Sequence, residues 1–207
     1  MLNQEIYAKD PLANQLANNG VAEVKDDTSE QALFTLRYEL ETFVCDGEYQ
    51  KGLDNILGTF LTNLNSNREQ PGVWVSGFYG SGKSHLAKML RSLWTDYDFK
   101  NGTTARGLAS LPIEISDHFK ELSVQGKRYG GLHAASGTLG QGASDWVRSA
   151  LLSIVFKSAG LPERYHLARF VLWLRQERIE QAVIQHVEAS GKEWLKELNA
   201  LFMSPVI

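Results

Sequence analysis

The stretch that decides the predicted fold lies at residues 77–84 and reads Gly77-Phe78-Tyr79-Gly80-Ser81-Gly82-Lys83-Ser84. It matches the phosphate-binding pattern G-x-x-x-x-G-K-[ST] at every specified position. Glycines let a backbone adopt conformations that a Cβ forbids, so several N–H groups can point into one concavity and hold a polyanion. In such a loop the lysine reaches the β- and γ-phosphates and the serine hydroxyl ligates Mg²⁺. The sequence therefore predicts an ATP-binding loop, with Ser84 as the Mg²⁺ ligand and these residues on the nucleotide: Gly77, Gly80, Ser81, Gly82, Lys83, Ser84 and His85.

The residues on either side of the loop support this prediction. Residues 73–76 are a short apolar run that follows the turn signal Pro71-Gly72, a pattern typical of a buried strand. After the loop, apolar residues recur at helical spacing at Leu86, Ala87, Met89, Leu90 and Leu93. A strand, a glycine loop and a helix in this order predict an α/β fold with a partial αβα core of the P-loop NTPase type. His85 has two interpretations, γ-phosphate sensing or packing of the helix.

The remaining pattern divides the chain into three predicted parts. Residues 1–48 form an N-terminal appendage, in which strands at 21–24 and 43–45 make a small β-ribbon beside a helix that begins near Ser29. Residues 49–142 form the P-loop core, with helices over 49–64 and 113–125 and a second strand at 132–135. Residues 143–207 are all helical, and we expect them to continue in a longer protein. Their predicted helices span 146–159, 163–175, 179–189 and 193–203.

Composition narrows the class of protein. The 207 residues carry a formal net charge of −3, which gives no electrostatic footprint for nucleic acid, so DNA contact is not evident. No apolar run reaches the roughly 18 residues that a membrane helix needs, and the first residues lack the pattern of a secretory signal. The single cysteine, Cys45, has no partner for an internal disulfide. We therefore expect a cytoplasmic protein that does not enter a membrane.

The acid that normally completes a magnesium site of this kind is missing from the pattern. It usually ends a second apolar strand, and the nearest candidates are Glu114 and Asp117, where Pro112 instead indicates the start of a helix. We therefore expect a fragment that binds ATP without hydrolysing it alone, and the catalytic residues stay unknown. Two alternatives remain open. One is a self-contained small P-loop kinase completed by Asp117 or Glu114, and the other is a nucleotide-regulated scaffold that forms homo-oligomers through the C-terminal helices.

Residues 72–85 resemble one family closely, the P-loop proteins of BREX bacteriophage-exclusion loci (the BrxC and PglY group). Residues 5–11, 131–138 and 156–162 share the likeness, which covers essentially the whole chain as the N-terminal part of a longer protein. The resemblance implies a large cytoplasmic ATPase of phage defence that works with other BREX proteins, including a methyltransferase and an alkaline-phosphatase-like component. By motif match it carries over five nucleotide-binding residues: Gly77, Gly80, Gly82, Lys83 and Ser84. It assigns no Walker B acid, sensor or arginine finger to this chain.

Overall fold

The computed structural model describes residues 29–66, 68–99, 101–137, 139 and 147–201, and the regular structure within these ranges is helical. The helices are α1 (Glu30–Glu41), α2 (Gly47–Asn65), α3 (Lys83–Thr95), α4 (Ala105–Leu108), α5 (Ile113–Arg128), α6 (Val147–Ser158), α7 (Tyr165–Gln176), α8 (Glu180–Ala189) and α9 (Trp194–Ala200). The chain divides into two compact units, Met1–Ala134 and Ala135–Ile207. Within the described ranges, no helix combines the length and the apolar character that crossing a membrane requires.

The core of the N-terminal unit lies where α2 packs against α5. Each of these helices carries apolar residues three or four positions apart, which places them in one stripe on one face. The buried members of the two stripes are Leu53, Leu57 and Leu61 of α2 and Ile115, Phe119 and Leu122 of α5. Helix α1 adds Leu40 to the same core, and α3 adds Met89 and Leu93. The helix that follows the predicted phosphate loop is therefore anchored by its own buried face.

Arg106 in α4 joins α3 to α5. Its guanidinium donates to the carbonyls of Leu93 (2.7 Å), Trp94 (2.9 Å) and Phe119 (2.8 Å), and it lies 4.8 Å from the centre of the Phe119 ring. The first two acceptors belong to the last turn of α3, where helix carbonyls have no intrahelical partner. Burial lowers the pKa of Arg106, and the nearby Asp96 opposes that shift. One side chain thus caps α3 and holds α5 beside it.

The C-terminal unit has a smaller core of its own. Leu167 and Val171 of α7 and Leu198 of α9 are buried together, and Trp194 is partly buried against them. The helices that periodicity predicted in this part of the chain are present, within a few residues of their predicted ends. Helix α9 ends at Ala200, and the predicted continuation to 203 lies outside the described residues.

The predicted αβα core of the P-loop NTPase type is wrong for this structure, because such a core needs a central sheet. Residues 73–76, 43–45 and 132–135 have no strand conformation, and the only bridge in the described ranges is an isolated antiparallel one between Asp98 and Thr104. The predicted N-terminal β-ribbon is also wrong at residues 43–45, because these residues form no strand. Its other predicted strand, at residues 21–24, lies outside the described residues.

The physical reason is that an apolar run records a tendency to be buried and does not specify a strand. Phe43 and Cys45 are buried, but they lie between α1 and α2 in contact with the helical core. The run at 73–76 is exposed instead, with Trp74 90% accessible. A strand also needs a neighbouring strand for its backbone hydrogen bonds, and the described core is filled by helices.

Candidate phosphate-binding loop

The motif residues form a tight loop that runs directly into α3. The Ser81 N–H donates to the Phe78 carbonyl (3.2 Å), which closes a four-residue turn. Gly80 and Gly82 have φ values of +80° and +81°, in the left-handed region that residues with a Cβ rarely adopt. Gly82 is also the N-cap of α3, and its carbonyl accepts the first helical hydrogen bond from Leu86 (2.8 Å). The loop shape therefore depends on glycine at Gly82, which the motif specifies, and at Gly80, a position that the motif leaves open.

Lys83 folds back over this loop. Its Nζ donates to the carbonyls of Gly77 (2.9 Å) and Phe78 (2.7 Å), and it lies 3.4 Å from the Ser81 hydroxyl oxygen. The carbonyl and the N–H of a trans peptide point in opposite directions. The N–H groups of Phe78 and Tyr79 consequently point away from the ammonium. In this conformation the hydrogen-bond acceptors of Lys83 are therefore groups of the loop itself.

Tyr49, in the first turn of α2, contacts the loop from the side. Its hydroxyl donates to the Ser81 carbonyl at 3.3 Å. The Tyr49 ring stands edge-on to Phe43, with 6.1 Å between ring centres. The connection between α1 and α2 therefore supports the loop, although nothing in the sequence pattern marked Tyr49 as a loop residue.

His85 lies on the first turn of α3 and is half-buried, with its ring 5.9 Å from that of Phe43. Burial lowers the pKa of His85, the charge of Lys88 lowers it further, and Glu39 acts in the opposite direction. This position agrees with the helix-packing interpretation of His85. Its role as a γ-phosphate sensor stays a prediction.

The residues that the sequence suggested as magnesium ligands lie on two different helices, α3 and α5. Ser84 is exposed at the start of α3, and its hydroxyl has no hydrogen-bond partner among the described residues. Asp117 pairs with Lys120 on the same helix at 2.7 Å, and Glu114 is exposed in the first turn of α5. The described ranges contain no group of three or more His, Cys, Asp or Glu residues arranged to hold a metal ion. Ser84 is therefore the only predicted magnesium ligand that lies in the loop.

The C-terminal unit contains a cavity of about 500 Å³. Val171, Trp194 and Leu198 form part of its wall, and its Arg175 pairs with Glu180 at 2.8 Å. The positive charge of Arg175 is therefore paired with a carboxylate of the same unit. The cavity and the motif residues belong to different units of the chain.

No protein-family model matches this chain, and no solved structure matches it. The resemblance to the BREX proteins therefore rests on the residues quoted above. The geometry of the loop and of its neighbours carries the functional argument that follows.

Proposed function

We propose that residues 77–84 bind the phosphates of ATP, with Mg²⁺ held at Ser84. The observation that carries the proposal is the position of the Lys83 Nζ, 2.9 Å and 2.7 Å from the Gly77 and Phe78 carbonyls, where α3 begins. A helix N-terminus favours an anion through its free N–H groups and its dipole. The lysine adds a full positive charge at the same place. These features support phosphate binding without a central sheet.

Binding requires an exchange of partners at Lys83. In the structure the ammonium of Lys83 donates to two neutral carbonyls. A phosphate oxygen carries a negative charge and therefore attracts the ammonium more strongly than a neutral carbonyl oxygen does. The phosphate therefore replaces the carbonyls as the partner of Lys83. The Phe78 carbonyl keeps its hydrogen bond from the Ser81 N–H, whereas the peptide after Gly77 becomes free to turn its N–H group towards the phosphate.

The proposal is tested by isothermal titration of the protein with ATP and Mg²⁺. Lys83→Ala is expected to weaken binding at least tenfold, because a hydrogen bond to a charged group contributes about 1.5–3 kcal/mol. Lys120→Ala is the matched control, since Lys120 is exposed on α5 and its removal also takes one positive charge from the N-terminal unit. Equal affinities in the wild type and Lys83→Ala would overturn the assignment of the loop.

We propose further that this chain binds ATP with negligible turnover. Asp117 is engaged with Lys120 on α5, and residues 77–84 carry no carboxylate that could serve as the magnesium acid. A turnover above about one per minute, far faster than uncatalysed hydrolysis, would contradict this. A transfer of phosphate to small acceptors would favour the kinase alternative instead.

We also propose, from the resemblance alone, that the chain belongs to a phage-defence ATPase of the BREX type and acts with that system's other proteins. The nucleotide loop is the feature that links the two proposals. In cells that carry a complete defence locus, Lys83→Ala in this component is expected to raise the plating efficiency of phage to that of unprotected cells. Full protection of cells that carry Lys83→Ala would show that the loop is not needed for phage defence.

One observation favours assembly as a second function. Val147, Leu151 and Val155, four residues apart on α6, are each about half exposed. Residues at this spacing share a face of the helix, and a second copy of the chain could bury that face. Sedimentation velocity with and without ATP tests this, and Leu151→Glu is the matched variant. A monomer at all concentrations in both conditions would exclude assembly through this face.

A further inference from the structure

The side chain of Tyr49, which belongs neither to the motif nor to α3, contacts the phosphate loop. Its hydroxyl donates to the Ser81 carbonyl at 3.3 Å, across 32 positions of sequence. A Cβ added to Gly82 would overlap this hydroxyl oxygen, so the side chain lies directly against the Ser81–Gly82 peptide. Phe43 supports the ring edge-on, with 6.1 Å between ring centres. Tyr49 is therefore held in place by a buried residue while its hydroxyl reaches the loop.

The contact controls the direction of one amide. Because a trans peptide places its carbonyl and its N–H on opposite sides, a Ser81 carbonyl that points to Tyr49 directs the Gly82 N–H away from it. No described group accepts a hydrogen bond from the Gly82 N–H. This amide immediately precedes Lys83 and lies at the N-terminus of α3. Its position is that of a donor kept available for an anion.

We propose that Tyr49 is a positioning residue of the phosphate loop, which holds the Ser81–Gly82 peptide so that the Gly82 N–H can donate to a phosphate oxygen of the nucleotide. The proposal rests on the proposed ATP-binding function and deepens it. A donor that is oriented before the ligand arrives does not have to be ordered on binding, and affinity rises accordingly. The bonds from Lys83 to the loop carbonyls break when phosphate binds, whereas the Tyr49 bond persists.

The test compares two variants that each remove one tyrosine hydroxyl from the N-terminal unit. Tyr49→Phe keeps the ring and its contact with Phe43. Tyr129→Phe is the matched control, because Tyr129 lies outside the loop, directly after α5, and is 69% exposed. Titration with ATP and Mg²⁺ is expected to show a loss of affinity of roughly two- to tenfold in Tyr49→Phe, the range that one neutral hydrogen bond covers. Tyr129→Phe is expected to bind like the wild type. The urea midpoint of Tyr49→Phe is expected to stay near the wild-type value.

A second measurement follows the amide itself. In protein labelled with ¹⁵N-glycine, the Gly82 resonance is expected to shift in ligand-free Tyr49→Phe and to keep its position in Tyr129→Phe. In the wild type, ATP is expected to shift the same resonance. A merely structural role of the ring would leave it unchanged, because phenylalanine preserves the ring packing.

The outcomes separate the two proposals. If Tyr49→Phe binds ATP like the wild type while Lys83→Ala does not, the role of Tyr49 is overturned and the ATP site stands. If Lys83→Ala binds like the wild type, the ATP site is overturned, and with it the positioning role. A large drop in the urea midpoint of Tyr49→Phe would assign the tyrosine to folding and would also overturn the proposal.

Discussion

The carboxylate of Glu39 on α1 and the ammonium of Lys88 on α3 form an ion pair at 2.5 Å, with only 11% and 17% of their side chains accessible. The two residues are the charged link between the helix that precedes α2 and the helix that follows the phosphate loop. Charges removed from water to this extent are stabilising only while they are paired. The pair also lies beside His85, whose pKa responds to both charges.

Removal of one member of this pair is expected to destabilise the fold. Glu39→Gln leaves the ammonium of Lys88 buried without its counter-charge, and the free energy of unfolding is expected to fall by about 3 kcal/mol. Urea denaturation measures the change, and the double variant Glu39→Gln/Lys88→Met is expected to recover part of it. Lys51→Met removes one partner of the exposed Glu48–Lys51 pair and is expected to have no measurable effect. Similar losses of unfolding free energy in Glu39→Gln and Lys51→Met would show that burial does not set the contribution of these ion pairs.

Two glycines of the loop provide a second comparison. Gly80 and Gly82 have nearly the same φ, but a Cβ at Gly80 meets no atom within 4 Å, whereas one at Gly82 meets the Tyr49 hydroxyl. Gly80→Ala is expected to cost about 1–2 kcal/mol of stability, the penalty of a left-handed residue with a Cβ. Gly82→Ala is expected to cost more and to abolish ATP binding, because Tyr49 must also move. Equal unfolding midpoints for the two variants would show that Tyr49 does not press on Gly82.

Arg106 is expected to contribute strongly to the stability of the N-terminal unit. Arg106→Met removes the hydrogen bonds that its guanidinium donates to the Leu93, Trp94 and Phe119 carbonyls, and the free energy of unfolding is expected to fall by about 3 kcal/mol. Arg106→Lys is expected to recover little, because an ammonium cannot reproduce the planar fork of a guanidinium. Thermal unfolding followed by circular dichroism measures both. If Arg106→Lys is as stable as the wild type, a positive charge at this position is enough and the guanidinium fork is not required.

The lowered pKa of His85 predicts how stability depends on pH. The unfolded chain binds a proton at the ordinary value of 6.5, and the folded protein binds it only at a lower pH. The contribution of His85 to the free energy of unfolding is therefore fully present above pH 6.5, and it decreases as the pH falls from 6.5 through the folded pKa. Urea midpoints measured between about pH 8 and pH 5.5 are expected to decline on the acid side, and His85→Gln is expected to flatten the decline. His186→Gln, on the exposed surface of α8, is the control that keeps it.

The helices were predictable because the signal for a helix is local. Leu53, Leu57 and Leu61 recur every four residues, and this spacing alone indicates a helix with one buried face. Helix α4 escaped the prediction, since four residues contain too little of a repeat to detect. The absence of a strand at residues 73–76 could not be predicted from the sequence, because an apolar run is equally compatible with several environments. Here Trp74 lies in solvent instead of in a sheet.

Three features of residues 77–84 follow from local sequence: the glycines that permit left-handed backbone, the position of the lysine, and the helix that begins at Lys83. Each of these depends on neighbours a few positions away. Three other features come from the packing of the folded chain: the loop adjoins helices instead of a sheet, Tyr49 donates to Ser81, and Glu39 pairs with Lys88. Those contacts join residues 32 and more positions apart. The packing of the helical core brings them together, and no local pattern in the chain encodes which side chains will meet.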